Sequence, residues 1–104
     1  MSDIRQARKT LIARILEGDG AAPHAQRRAA FDNASLTGPA GLLVEKVCKD
    51  AHAIADEDVA AVRGANLGED EVFEMVICAA VGEANRQHES ALAALRAAVA
   101  KEPR

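Results

Sequence analysis

Aromatic side chains are almost missing from this sequence, whose 104 residues include two Phe and neither Trp nor Tyr. A core without large rings must be filled by Ala, Val, Leu and Ile, which each bury little area. A chain of this length is expected to form one domain, residues 1–104, with a thin core. We therefore expect closely packed helices and a homo-oligomer that buries further apolar surface.

A basic face is missing as well, since the formal net charge is -3. Domains that bind nucleic acid usually show such a face together with stacking aromatic residues. The short cluster Gln26-Arg27-Arg28 is predicted to be a solvated helix face. No apolar run reaches the length of a membrane span, and the first residues do not form the uninterrupted apolar stretch of a signal peptide. We expect a cytoplasmic protein that binds neither nucleic acid nor a membrane.

Strand signals are the third absence, because no run alternates β-branched and aromatic residues with polar ones. The apolar residues recur with the helical period instead, which predicts an all-α fold of about five helices. The predicted helices cover about 4–16, 23–34, 39–54, 56–64 and 69–99, the last as one long helix or as two with a kink near Gly82. Gly82 itself is predicted to lie at a close contact between helices.

Two cysteines do not make a disulfide framework, so their chemistry has to be considered one by one. Cys48 and His52 are four residues apart on the third predicted helix, where their side chains can meet. The pair can be a thiol active site, two metal ligands or two ordinary helix residues, whereas Cys78 lies in an apolar run and is predicted to be core. A zinc site that also used Cys78 and His88 would need these two residues, ten positions apart on one helix, to converge on one ion. We therefore predict no metal site. We also predict no cofactor.

The segment that follows the Cys48–His52 helix reads "ADEDVAAVRGANLGEDEVFEMVICAAVGEA". An acid-capped short helix, a turn of small residues and an Ala/Gly-rich helix follow one another in it. This order resembles the alkylhydroperoxidase D-like superfamily, which includes the carboxymuconolactone decarboxylases. The resemblance covers about residues 42–95, and it implies a helical bundle that assembles as a homo-oligomer and acts on a small molecule.

The redox members of that superfamily carry a Cys-x-x-Cys-x-x-x-His motif and an upstream glutamate that relays protons. The resemblance places their second cysteine on Cys48, their histidine on His52 and their first cysteine on Glu45. Their upstream acid falls on Asn33, one position from Asp32. Without the first cysteine no second thiol is available to resolve a sulfenic acid. The decarboxylase branch needs no dithiol and uses His and acid groups for proton transfer.

Two functions therefore stay open at the level of sequence. One is a thiol-dependent oxidoreductase or decarboxylase-related enzyme, with Cys48 as nucleophile or redox centre, His52 as general base, and Glu45 or Asp32 as relay acid. The other is a non-catalytic helical homo-oligomer that serves as a scaffold or binding module. The pKa and accessibility of the Cys48 thiol distinguish them, and a carboxylate at Glu45 is expected to raise that pKa.

Overall fold

The structure, a computed structural model, describes residues 2–34, 36–65 and 67–101. These residues form α-helices and one short 3₁₀ helix and contain no strand, which confirms the all-α prediction. The elements are α1 (Ser2–Glu17), α2 (His24–Phe31), α3 (Gly38–Lys49), the 3₁₀ helix (Ala51–Ala53), α4 (Asp56–Gly64) and α5 (Glu69–Ala100).

The second predicted helix is shorter than expected. Pro23 precedes α2, and its fixed φ suits the start of a helix. The helix ends at Phe31, because Asn33 adopts a φ of 50°, in the left-handed region that a helix cannot contain. The prediction that this helix continues to residue 34 is therefore wrong.

The end of α1 is held by a buried arginine. Arg27 is 4% exposed, and its guanidinium donates hydrogen bonds to the carbonyl oxygens of Ile15, Gly18 and Ala22 at 3.2, 2.7 and 3.0 Å. The last carbonyls of a helix have no partner within the helix, so a five-donor side chain is well suited to satisfy them. The predicted solvated face is therefore wrong at Arg27 and applies only to its exposed neighbour Arg28.

The turn between α1 and α2 is also tied to α5. The carboxylate of Glu74 accepts hydrogen bonds from the backbone N–H groups of Ala21 and Ala22 at 2.9 and 2.8 Å. These two bonds hold the pKa of Glu74 below its ordinary value. Gly20 approaches the same carboxylate so closely that a Cβ at this position would collide with it. One side chain of α5 thus fixes the path of the turn.

The third helix ends five residues before its predicted end. The backbone leaves the helical region at Asp50, with φ -156° and ψ 61°, and residues 51–53 form a 3₁₀ turn in which Ala53 N–H donates to Asp50 O at 2.9 Å. Aspartate is a weak helix former, and the carboxylate of Asp50 faces the His52 imidazole rather than capping the backbone. Asp58 of α4 then fixes the next helix start, since its carboxylate accepts from Ala55 N–H and lies 2.9 Å from Lys46 Nζ.

The core is formed where α5 crosses α2 and α3. The fifth helix is continuous through Gly82, so it has no break there. Gly82 is buried, and a Cβ on it would overlap the carbonyl group of Phe31, which confirms the predicted close contact. Two hydrophobic clusters result: one contains Leu16, Ala22, Ala30, Phe31, Val44, Cys48, Met75, Cys78 and Ala79, and the other contains Leu43, Val62 and Val72.

Candidate functional site

Cys48 lies on the face of α3 that packs against α5. Its Sγ–H donates a long hydrogen bond of 3.8 Å to Ala79 O, and Arg86 Nη2 donates to Sγ at 3.7 Å. The residue is only 8% exposed. Burial raises the pKa of the Cys48 thiol above its ordinary value, Arg86 opposes this rise, and Glu83 adds to it. The thiol is therefore buried and its pKa is raised, whereas a reactive cysteine has a lowered pKa and access to solvent.

His52 is not on the same helix as Cys48. The prediction that the two side chains lie one turn apart is wrong, because α3 ends at Lys49 and His52 belongs to the following 3₁₀ turn. The imidazole is 92% exposed, and its Nε2 lies 3.0 Å from Asp50 Oδ1. The histidine is thus paired with a neighbouring carboxylate at the surface, while the sulfur of Cys48 contacts α5.

The two acids that the sequence offered as relays are both at the surface. Glu45 is exposed and forms an ion pair of 3.1 Å with Lys49, one turn along α3. The carboxylate that contributes to the raised pKa of Cys48 is Glu83 rather than Glu45. Asp32 caps the end of α2 through its backbone and has an exposed side chain.

An open cleft of about 610 Å³ lies beside this part of α3. Glu45 and Lys49 line it, together with the loop between α2 and α3. The sulfur of Cys48 bonds on the α5 side instead. The cleft therefore has an ion pair in its wall, and the thiol, the histidine and the acids do not form one site.

The residues that do surround Cys48 come from α5 and were missed by the sequence analysis. Arg86 donates one hydrogen bond to the carbonyl oxygen of Phe31, contacts the Cys48 sulfur, and forms a 3.0 Å ion pair with Glu83. Arg86 also keeps the pKa of Glu83 below its ordinary value. Helical spacing could have identified Arg86 as a neighbour of the core. It lies four residues after Gly82 and seven after Ala79, on the buried side of α5.

Cys78 is a core residue, as predicted. It is 1% exposed, and its Sγ lies 3.5 Å from Ile15 O. Burial raises the pKa of its thiol. Within the described ranges, no group of three or more His, Cys, Asp or Glu side chains is arranged to hold a metal ion. In the same part of the chain, no helix combines the length and the apolar character needed to cross a membrane.

An exposed stripe on the outer side of α5 is apolar except for His88. We call it the outer stripe, and its members recur at spacings of three, four or seven residues, which places them within about 80° of one another around the helix. The buried residues of α5 lie on the opposite side and end at Gly82. Phe73, Leu95 and Val99 are 65%, 60% and 58% exposed. The outer stripe consists of Phe73, Ile77, Val81, Ala84, His88, Ala91, Leu95 and Val99.

A groove of about 680 Å³ lies between α1 and α5, next to the outer stripe. Ile4 and Leu11 line it from α1, and they are 69% and 48% exposed. Val81 and Ala84 of the outer stripe line its other wall. Together the groove and the stripe form one apolar surface that covers the length of α5.

Comparisons with known proteins add no further constraint. No protein-family model, no curated protein and no solved structure matches this chain. The resemblance to the alkylhydroperoxidase D-like superfamily therefore depends on residues 42–95 as quoted above, and it stays a prediction.

Proposed function

We propose that this chain is a divergent alkylhydroperoxidase D-like protein that works without thiol catalysis, as a helical homo-oligomer serving as a scaffold or binding module. The amount of exposed surface carries the proposal. The chain exposes 7275 Å², whereas a monomer of its mass of 10.9 kDa is expected to expose about 5,600 Å². The excess of about 1,700 Å² is larger than the surface of about 800 Å² that one partner buries in a standard interface.

The shape of the chain supports the same proposal. Its radius of gyration is 16.3 Å and its extents are 60 × 29 × 20 Å, whereas a compact domain of this length has a radius of gyration of about 13 Å. The elongation comes from α5, which runs 18 residues beyond Gly82, its last buried residue. A helix whose outer face is apolar over this length gains stability by packing against another surface.

The surroundings of Cys48 favour the non-catalytic function over the catalytic one. A nucleophilic or redox cysteine needs a thiolate, a base within reach and a path for substrate. Here the thiol is buried with a raised pKa, and His52 pairs with Asp50 at the surface. The one observation that favours a thiol-dependent enzyme is the contact between Arg86 and the sulfur, because a guanidinium stabilises a thiolate.

Thiol labelling of the folded protein tests the proposal. We expect Cys48 to react with iodoacetamide only slowly between pH 6 and pH 9, with a rate close to that of Cys78, since burial protects both. Mass spectrometry of the two cysteine peptides gives both rates in one experiment, so the fully buried Cys78 is an internal control. Peroxide consumption with a dithiol reductant should be the same for the wild type and for Cys48→Ser.

Two results would contradict the non-catalytic assignment. The first is rapid labelling of Cys48 with an apparent pKa below about 7.5, which is typical of activated thiols. The second is peroxide turnover that Cys48→Ser abolishes. Either result would favour the thiol-dependent enzyme, with Arg86 as the group that stabilises the thiolate.

A further inference from the structure

We infer that the outer stripe binds the outer stripe of a second copy of this chain, so that two α5 helices pack antiparallel about a twofold axis that passes the stripe at the level of residue 86. This inference rests on the proposed homo-oligomer and names the surface, the orientation and the register of its contact. The groove between α1 and α5 lies beside the axis and is covered in the same dimer.

The spacing of large and small residues supports this register. When the axis passes the level of Arg86, Phe73 lies opposite Val99 of the second copy, and Ile77 lies opposite its Leu95. Both contacts join large apolar side chains. Ala84 lies next to the axis, opposite His88 of the second copy, where its small side chain leaves room for the imidazole. The contact from Phe73 to Val99 is about 39 Å long at 1.5 Å per residue, so it uses nearly the whole helix.

The distribution of charge favours the antiparallel orientation. The first turn of α5 carries three acids, Glu69, Asp70 and Glu71. From residue 90 to residue 101 the charged residues of the chain are Arg96 and Lys101, both basic. An antiparallel pair therefore places the acidic end of one helix beside the basic end of the other, and it also opposes the two helix dipoles. A parallel pair would bring like charges together.

The first helix increases this charge difference. α1 lies along the second half of α5, as shown by the ion pair of 3.1 Å between Arg8 and Glu89. It brings Arg5 and Lys9, both exposed, to the same end of the molecule. The basic end of one copy is thus formed by two helices, and it meets the acidic first turn of the other copy.

Sedimentation of charge variants tests which surface is used. We expect the wild type to be a dimer at micromolar concentrations and Leu95→Glu to raise the dimer dissociation constant at least about 30-fold, because each dimer would bury two charges without partners. Phe73→Glu tests the other end of the contact and should act in the same direction. Ala97→Glu is the matched control, since Ala97 is exposed on the opposite side of the same helical turns, and it should leave the dissociation constant within about twofold of the wild type. All three positions are exposed, and circular dichroism checks that each variant keeps its helices.

Cross-linking tests the orientation and the register. In the antiparallel dimer, a mixture of Ile77→Cys and Leu95→Cys should form cross-linked pairs of one variant with the other. Each variant alone should cross-link weakly, because its two introduced cysteines would be about 27 Å apart along the axis. The wild type gives the background, since Cys48 and Cys78 are buried.

The possible outcomes separate the two proposals. A monomer at all concentrations up to 100 µM contradicts the homo-oligomer itself. An oligomer that Leu95→Glu and Phe73→Glu leave intact contradicts only the use of the outer stripe. Efficient cross-linking within each single variant would show a parallel pair and would also overturn the inference.

Discussion

Two arginines satisfy backbone carbonyls that the helices of this chain leave open. Arg27 holds the end of α1, and Arg86 holds the carbonyl oxygen of Phe31 while it contacts Cys48. Both roles depend on where a helix end lies in three dimensions. The sequence shows two adjacent arginines in α2, but nothing in their spacing says which of them points at the end of α1.

Arg27→Met tests the structural role of the buried guanidinium. We expect the free energy of unfolding to fall by about 3 kcal/mol, because three carbonyl oxygens lose their donor and remain partly buried. Arg28→Met is the matched control, since Arg28 is the exposed neighbour and lies 6.0 Å from the Phe31 ring, a contact worth about 0.5 kcal/mol at such a site. Urea denaturation of both variants gives the comparison. Equal losses of unfolding free energy in the two variants would contradict the structural role of Arg27.

The neighbours of the residues in the candidate site could not be predicted from the sequence either. The sequence identified Cys48 as a residue to consider, but it joined the cysteine to His52 by assuming that α3 continues. The turn at Asp50 separates the two, but the apolar pattern continues across it to Ile54, so periodicity alone does not show where the helix ends. The actual neighbours, Arg86 and Glu83, are 38 and 35 positions further along the chain, and only tertiary packing brings them near.

The helices were predicted from the sequence more successfully than the contacts of single residues. The order of the five helices, the turn after α1 and the acidic first turns of α4 and α5 all follow from periodicity and capping. Gly82 was correctly assigned to a close contact, because a glycine in an otherwise good helix usually has a packing reason. The partner in that contact, the Phe31 carbonyl, needed the crossing of α2 and α5 to be known.

Gly82→Ala tests the crossing of α2 and α5. The new Cβ would overlap the carbonyl of Phe31, which is backbone and cannot turn away as a side chain can. We expect the variant to lose at least about 2 kcal/mol of unfolding free energy through overpacking. Gly64→Ala at the end of α4 is the control, because its Cβ meets open space and a change of this kind stabilises by about 0.5 kcal/mol. Thermal melts that rank the two variants in the opposite order would contradict the close contact.

At the scale of the whole molecule, three carboxylates support contacts between separate elements. Asp58 joins α4 to α3, and Glu74 joins α5 to the turn before α2. Glu83 pairs with Arg86 within α5, and Arg86 in turn contacts Phe31 of α2 and Cys48 of α3. Each carboxyl has a pKa below its ordinary value, with hydrogen bonds as the main cause. The folded state therefore holds these protons less tightly than the unfolded state does.

Stability should consequently fall on acidification. The contribution of the three carboxylates is complete above their ordinary pKa values of about 4, and it is lost as the pH falls through their lowered values in the folded state. Urea denaturation between pH 7 and pH 3 measures the decline. We expect Glu74→Gln to be less stable than the wild type at pH 7 and to show a shallower decline, whereas Glu57→Gln in the exposed first turn of α4 should follow the wild type. Parallel curves for the wild type and Glu74→Gln would mean that Glu74 does not contribute to the pH dependence of stability.

The position of Gly82 also has a consequence for synthesis. Among the described residues, every buried side chain precedes Ala84, so the ribosome has already made the whole core when it begins the second half of α5. The residues that close the monomer core are therefore made first, and the surface proposed to join two copies is completed only when the second half of α5 follows.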